Sequence, residues 1–312
     1  MRKNITPRLD RIPLKHFRTY TAYIRTGSVV AAANSLHVSP SAVSQQLSLL
    51  EDNVGTPLVI KTLNGIKPSD IGQEILLAAA RIENVLQTCQ ISMEKLGDRN
   101  SGRVSLGIFS SANYFAPYLI AEFKKSHPNV DVRIRIGNRD SIFKAFRNYE
   151  FDFLVVGRPP KEMDMDSVEI GEHPHIIIGS PEHPMINQKN LSLKDFDNET
   201  FLIREEGSGT RMVMVKLFED AGISPNSTME VGNNESIKQA VIAGLGVAFI
   251  SAHTVADELK DGRLKKFDIK GFPVIRKWLV VTHKNIELVP AAESLLNFFI
   301  ESGVDYLPKY RA

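Results

Sequence analysis

From Gln73 to Leu96 the chain holds neither glycine nor proline. As one α-helix at 1.5 Å per residue this stretch spans about 36 Å, more than the width of a small domain. Such a rod cannot be wrapped inside one core, so it divides the chain into an N-terminal head and a C-terminal body. Ile75, Ile82, Cys89 and Leu96 recur seven apart, and Ala79, Leu86 and Met93 form a second row of the same period. Two such rows make a coiled-coil seam. The spacing predicts a linker and dimerisation helix over 70–99, with Cys89 packed in the seam. The competing reading, one amphipathic helix lying on its own domain, fits less well between two regions of different composition.

The charge differs on the two sides of the rod. Residues 1–67 carry nine Lys/Arg against three Asp/Glu, and the rest of the chain 29 against 33. A basic head on a mildly acidic body points to a polyanion partner for the head alone. The chain has 312 residues, 43% of them hydrophobic and 24% charged, in keeping with a globular protein of two or three domains. No apolar run approaches the roughly 18–20 residues of a membrane span. The N-terminal residues are basic without an apolar core, so no secretory signal is expected. A single cysteine excludes an internal disulfide and suits a reducing cytoplasm.

In the head, Leu14, Phe17, Thr21 and Ile24 have helical spacing, Gly27 stops that helix and Ser28 caps the next, VVAAANSL. Leu36 to Val38 turn the chain. Ser39 stands as the N-cap of a third helix, with Pro40 at its first position. Val43, Leu47, Leu50 and Val54 lie on one face of it, and Gly55 ends it. Two short helices joined by a tight turn make a helix-turn-helix, whose second helix enters the DNA major groove. With the aliphatic face inward, Ser41, Ser44, Gln45 and Ser48 point outward, with Gln46 beside them. Such hydroxyls and amides can donate to and accept from base edges without bringing fixed charge. Residues 57–72 then read as strand, Asn64-Gly65 turn and strand, a wing flanked by Lys61 and Lys67 as phosphate contacts.

Residues 13–72, through AAANSLHVSPSAVSQQLSLLEDNVG, resemble the winged helix-turn-helix of LysR-type transcriptional regulators. The resemblance implies that Ser39, Ser41, Ser44 and Gln45 contact double-stranded DNA at an operator or promoter. It also implies that the long helix pairs two heads. The wing departs from the family pattern, with Val59 where Phe is usual, Lys61 and Asn64 for Arg, and Pro68-Ser69 for Leu-Thr.

From residue 103 short apolar strands alternate with helices, which predicts an α/β body built on parallel sheet. Two such sets with a late return look like the two lobes of a periplasmic-binding-protein-like sensor. The expected fold class is α/β multidomain: a winged helix-turn-helix over 1–69, the linker helix, lobe I over 103–160 and 269–312, and lobe II over 161–268. The chain is expected to cross between lobes near 157–161 and 267–272. Ligand should sit at the carboxyl ends of the strands. The loops there are SSAN, GNRD, GRPP, REEGSGTR and GNNES. They offer Ser111, Asn113, Asn138, Arg139, Arg158, Arg204, Ser208, Thr210, Arg211 and Asn234 to an anion. Ser208 and Thr210 are expected to cap a helix starting at Arg211. Taken singly, each Ser or Thr reads first as an N-cap and each Arg as a surface salt bridge; five such loops together favour a cleft.

REEGSGTR, NNESIKQAVIAGLGVAFIS, ELKDGRL and GFPVIRKWLVVTH make the body resemble the CbbR group of that family, regulators of Calvin-cycle operons. The resemblance implies an anionic effector such as a sugar bisphosphate, phosphoenolpyruvate or NADPH, and action on RNA polymerase by a cytoplasmic, nucleoid-associated homodimer or homotetramer. Related sensors serve other operons, such as those of sulfur metabolism. A solute-binding module without DNA binding is the remaining alternative. Enzyme motifs are missing: GSGT lacks the Gly-Lys-Ser/Thr of a phosphate loop, and there is no G-x-S-x-G or H-E-x-x-H. His173, His175 and His183 have no Cys or patterned carboxylate nearby in sequence and read as structural or solvated. No catalytic residue, metal or cofactor is expected.

Overall fold

The computed structural model describes residues 12–62, 65–94, 101–160, 162–225, 227–284 and 286–310. The chain divides into two compact units, residues 1–90 and 91–312. Among the described residues no helix is long and apolar enough to cross a membrane.

The first unit begins with α1 (Leu14–Thr26), α2 (Val29–Leu36) and α3 (Pro40–Val54). Each boundary has a local cause. Gly27 leaves α1 in the left-handed region at φ 76°. Ser28 caps α2 by accepting from Ala31 N at 3.1 Å. His37 makes the turn at φ 55°, and Ser39 accepts from Ala42 N at 3.2 Å to open α3. Gly55 closes α3 at φ 81°. Val43, Leu50 and Val54 are buried and Leu47 half-buried, while Ala32 and Ala33 let α2 approach closely. On α1 the buried apolar face is Phe17, Tyr20 and Ala22, whereas Thr21 is exposed. The aromatic Tyr20 therefore takes the place expected of Thr21, because it buries far more apolar area.

A hairpin comes next, β1 (Val59–Thr62) with β2 (Gly65–Pro68), and then α4 (Asp70–Glu94). Asn64 of the expected turn, and Leu96 of the expected seam, lie outside the described residues. The first half of α4 is part of the head: Ile75 and Ala79 pack with Phe17, Tyr20, Leu50 and Leu58. Arg18 of α1 reaches Glu83 with two hydrogen bonds of 2.5 and 3.1 Å. Further along, Ile82, Val85, Leu86, Cys89 and Met93 are exposed at seam spacing. Tyr20 Oη donates to the Leu58 carbonyl at 2.7 Å, beside Gly72. A Cβ at Gly72 would run into both that carbonyl oxygen and Tyr20 Oη. Gly72→Ala is expected to destabilise the head by about 1–3 kcal/mol, the usual cost of overpacking, read as a lower denaturant midpoint.

The second unit contains β3 (Ser101–Phe109), α5 (Ala116–Ser126), β4 (Asn129–Gly137), α6 (Arg139–Arg147) and β5 (Phe153–Val156). A long β6 (Met165–Gly179) follows, then β7 (Thr200–Arg204), α7 (Gly209–Ala221), β8 (Ser227–Val231) and α8 (Asn234–Ile242). The chain ends with β9 (Ala248–Ser251), α9 (Ala256–Lys260), β10 (Lys265–Lys266), β11 (Val274–His283) and α10 (Pro290–Ser302). One mixed sheet runs β10-β6-β11-β5-β3-β4, with β9 also on β6; β3 pairs in parallel with β4 and β5, the other pairs being antiparallel. β7 and β8 form a separate parallel pair.

The body has two lobes with separate cores. One gathers Val104, Leu106, Phe115, Phe123, Trp278 and Phe299, and the other Ile177, Phe196, Phe201, Phe249 and Phe267. β6 belongs to both, with Ile170 in the first core and Ile177 in the second. β11 pairs with β5 through Leu279–Thr282 and with β6 along its whole length. The passage between cores therefore lies within these two paired strands, near 170–177 and 274–278, beyond the loops at 157–161 and 267–272 where the sequence places it. The charged first half of β6, SVEIGE, conceals that this stretch is strand, since the pairing with β11 and not burial holds it there.

Candidate functional site

The exposed face of α3 is the head's polar surface. Ser39, Ser41, Ser44, Gln45 and Ser48 project from it, with Ser39, Ser41, Ser44 and Gln45 on its first two turns. Ser39 Oγ is shared between its cap bond and Ser41 Oγ at 3.0 Å. Gln46 differs: it is half-buried and its Oε1 accepts from Thr19 Oγ1 at 2.6 Å, which ties it back to α1. Position 46 is one turn from both Val43 and Leu50, so its side chain reaches the neighbouring helix before solvent. Lys61 and Lys67 lie on the hairpin, where the register pairs Lys61 with Ile66 and Ile60 with Lys67. Since alternate residues face opposite ways, the two lysines lie on opposite faces of the wing. Lys61 shares a groove with Ser44, Ser48 and Glu51.

In the body, seven of the ten expected residues line one cavity: Ser111, Asn138, Arg139, Arg158, Arg204, Ser208 and Thr210. It encloses about 50 Å³, space for some three to five water-sized groups. It continues outward past Pro159, Pro160 and Lys216. Among the described residues its lining has four arginines, 139, 158, 204 and 276, and no Asp or Glu. Three polar atoms of lining residues are buried with no partner among the described residues: Arg139 Nε, Ser208 Oγ and His173 Nε2. Ser208 precedes α7, which starts two residues earlier than expected, and its hydroxyl makes no cap bond. Its Oγ and the first N–H groups of α7 are thus left for a ligand.

The remaining three are engaged elsewhere or exposed. Asn113 is exposed and not part of the lining. Arg211 donates to the Arg204 carbonyl at 3.0 Å and to Glu230 at 2.6 Å. Asn234 is buried and accepts from Arg204 Nη1. Arg204 is itself a buried hub, 3% exposed, with Glu205 Oε2 at 2.7 Å from Nε and both Glu205 Oε1 and Ser110 Oγ on Nη2 at 2.8 and 3.2 Å. Its charge is met by Glu205. Arg158 and Arg276 have no ion-pair partner among the described residues. Asn138 caps α6 and its Nδ2 reaches the Glu206 carbonyl at 3.4 Å, while Asp140 N donates to the Gly207 carbonyl at 3.3 Å. These bonds and Arg204 to Ser110 join the lobes beside the cavity.

Sequence reasoning misses His173, His175 and Arg276. The register sets Arg276 opposite His173, and His175 is two residues on, so all three share a face of the β6–β11 pair. The histidines are not solvated: His173 and His175 are 5% and 2% exposed and line the cavity. Burial, then the neighbouring His175, His253 and Arg276, pushes His173 well below the usual imidazole range. Burial likewise lowers His175 to about 3 and His253 to about 4. His183 lies apart, bonded to Glu199 at 3.1 Å.

Residues 14–73 match the family model described as bacterial regulatory helix-turn-helix protein, lysR family, and residues 97–303 match the LysR substrate binding domain. The chain is 39% identical over 298 residues to the HTH-type transcriptional regulator CbbR of Xanthobacter flavus, covering 95% of this chain and 90% of that protein. It is 32% identical over 292 residues to the RuBisCO operon transcriptional regulator of Allochromatium vinosum, covering 94% and 97%. The regulatory domain of CcmR from Synechocystis PCC6803, solved in complex with 2-PG, superposes with a TM-score of 0.62 at 31% identity, covering 64% of this chain and 96% of that one.

Proposed function

Because this chain belongs to the LysR family of bacterial transcriptional regulators, we propose that it controls carbon-fixation genes in response to a compact, phosphorylated metabolite held between the two lobes. The observation that carries the effector reading is the cavity itself: four arginines line it, two of which, Arg158 and Arg276, have no ion-pair partner among the described residues, and three buried polar atoms of its lining find no partner there either. An unmatched cationic pocket is costly unless an anion fills it. The enclosed space suits one phosphate-sized group, with the rest of the ligand in the outward groove. The relatives named for CbbR and the RuBisCO operon support the choice of target genes.

The exposed face of α3 is the base-reading surface in this proposal, and the exposed half of α4 pairs two copies. Two heads on one frame bind adjacent half-sites with high effective concentration. Lys61, on the wing face that shares a groove with Ser44, contacts phosphate. Lys61→Ala should reduce the salt slope of DNA binding by about 1 and Lys67→Ala by less, measured as affinity against salt concentration.

The function is tested by titrating the full-length protein with 2-phosphoglycolate, phosphoenolpyruvate and ribulose 1,5-bisphosphate, and by repeating operator binding in their presence. Arg276→Gln is expected to weaken the effector at least tenfold, about 1.4 kcal/mol, and to leave DNA affinity without effector unchanged. If none of these anions binds the wild type, the effector reading fails.

A further inference from the structure

The three buried histidines around the cavity differ in how their nitrogens are used. His175 Nδ1 donates to the His173 carbonyl at 3.2 Å, since a carbonyl can only accept. Trp278 Nε1 donates to His253 Nδ1 at 3.1 Å, which puts the His253 proton on Nε2. Of these three, His173 has a buried Nε2 with no partner among the described residues, and it lines the cavity. Its ring is held flat on Trp278, with centroids 3.8 Å apart and planes 15° from parallel, and it lies 4.2 Å from the His175 ring. The ring, and with it that nitrogen, is therefore fixed beside the cavity before any ligand arrives.

We propose that His173 contacts the effector directly through Nε2, and that an acidic ligand enters this cavity together with one proton shared between its oxyanion and His173. The proposal rests on the anion-binding reading of the same cavity. The groups that face His173 are His175 from β6, Arg276 from β11 and His253 from the turn after β9; Arg139, Arg158 and Arg204 complete the cationic lining. With no carboxylate in the lining, nothing there favours imidazolium, and Arg276 opposes it. An oxyanion placed between Arg276 and His173 reverses that balance. A phosphomonoester suits the position because its second ionisation lies near 6, so near neutral pH its oxyanion can carry the shared proton that the depressed imidazole does not hold by itself. The unpartnered nitrogen then gains its hydrogen bond whichever side holds the proton.

The sign is set by linkage. The complex holds one more proton than the free partners, so affinity rises as pH falls, by up to about tenfold per pH unit while that proton is being taken up. Calorimetric titration of the full-length protein with 2-phosphoglycolate and with phosphoenolpyruvate, between pH 6 and 8 in buffers of different ionisation enthalpy, counts the proton. The expected result is uptake approaching one proton per site in the wild type. In His173→Gln, which keeps a polar group but no titrating nitrogen, binding should persist more weakly and the uptake should vanish. Binding by the wild type without proton uptake overturns the proposal, and so does uptake that survives in His173→Gln. The wild-type proton count stands on its own if the variant does not fold. Failure of both ligands to bind the wild type at all would sink the anion site, and this proposal with it, a different result from binding that ignores pH.

Discussion

Gln45→Ala is expected to lower specific DNA affinity by about 1–3 kcal/mol for each half-site, the value of one good side-chain-to-base contact. In a dimer that reads two half-sites the loss counts twice, so operator affinity falls by roughly 2–6 kcal/mol. Competition binding against unrelated DNA at fixed salt checks this, because loss of a base contact spares nonspecific binding. Gln45 is exposed on α3, and Val43 and Leu50 anchor the helix beneath it. Gln46→Ala should do much less to specificity, since that side chain is bonded to Thr19. Equal effects of the two substitutions would contradict the assigned face.

The second large effect concerns stability. Arg204→Met should destabilise the body by about 1–3 kcal/mol, the cost of leaving buried polar groups without their donor, with the partly exposed Glu205 relieved by solvent. Glu205 would lose its guanidinium, and Ser110 and Asn234 would lose their donor. Asn234 is the sharpest case, since its Nδ2 already lacks a partner and its Oδ1 would join it. For a domain of this size the loss corresponds to roughly 2–4 °C of Tm per kcal/mol. The bond from Arg204 to Ser110 also joins the lobes, so effector response should be lost even where the variant folds.

The head is legible because its signals are local. Ser28, Ser39, Pro40 and Gly55 each act within four residues, and α2 and α3 begin and end where those residues place them. The cavity is only partly legible, because the partners that decide a side chain's role come from distant strands. Arg211 and Asn234 belong to sequence stretches of the same composition as the lining residues, REEGSGTR and GNNES. What removes them is Glu230 on β8 and Arg204 on β7. His173 and Arg276 show the opposite error. About a hundred residues separate them, and only the β6–β11 register brings them face to face. No local pattern encodes that pairing, although the H-x-H alternation on β6 is visible in the sequence once its strand is known.

Trp278 is the chain's sole tryptophan, and its ring forms the back wall against which His173 lies. All indole emission from this protein therefore originates a few ångströms from the cavity. A charge appearing on the adjacent imidazole, or an anion replacing solvent in front of it, changes the surroundings of the chain's one indole. The molecule thus carries its own optical reporter of occupancy, readable without labels and while DNA is bound.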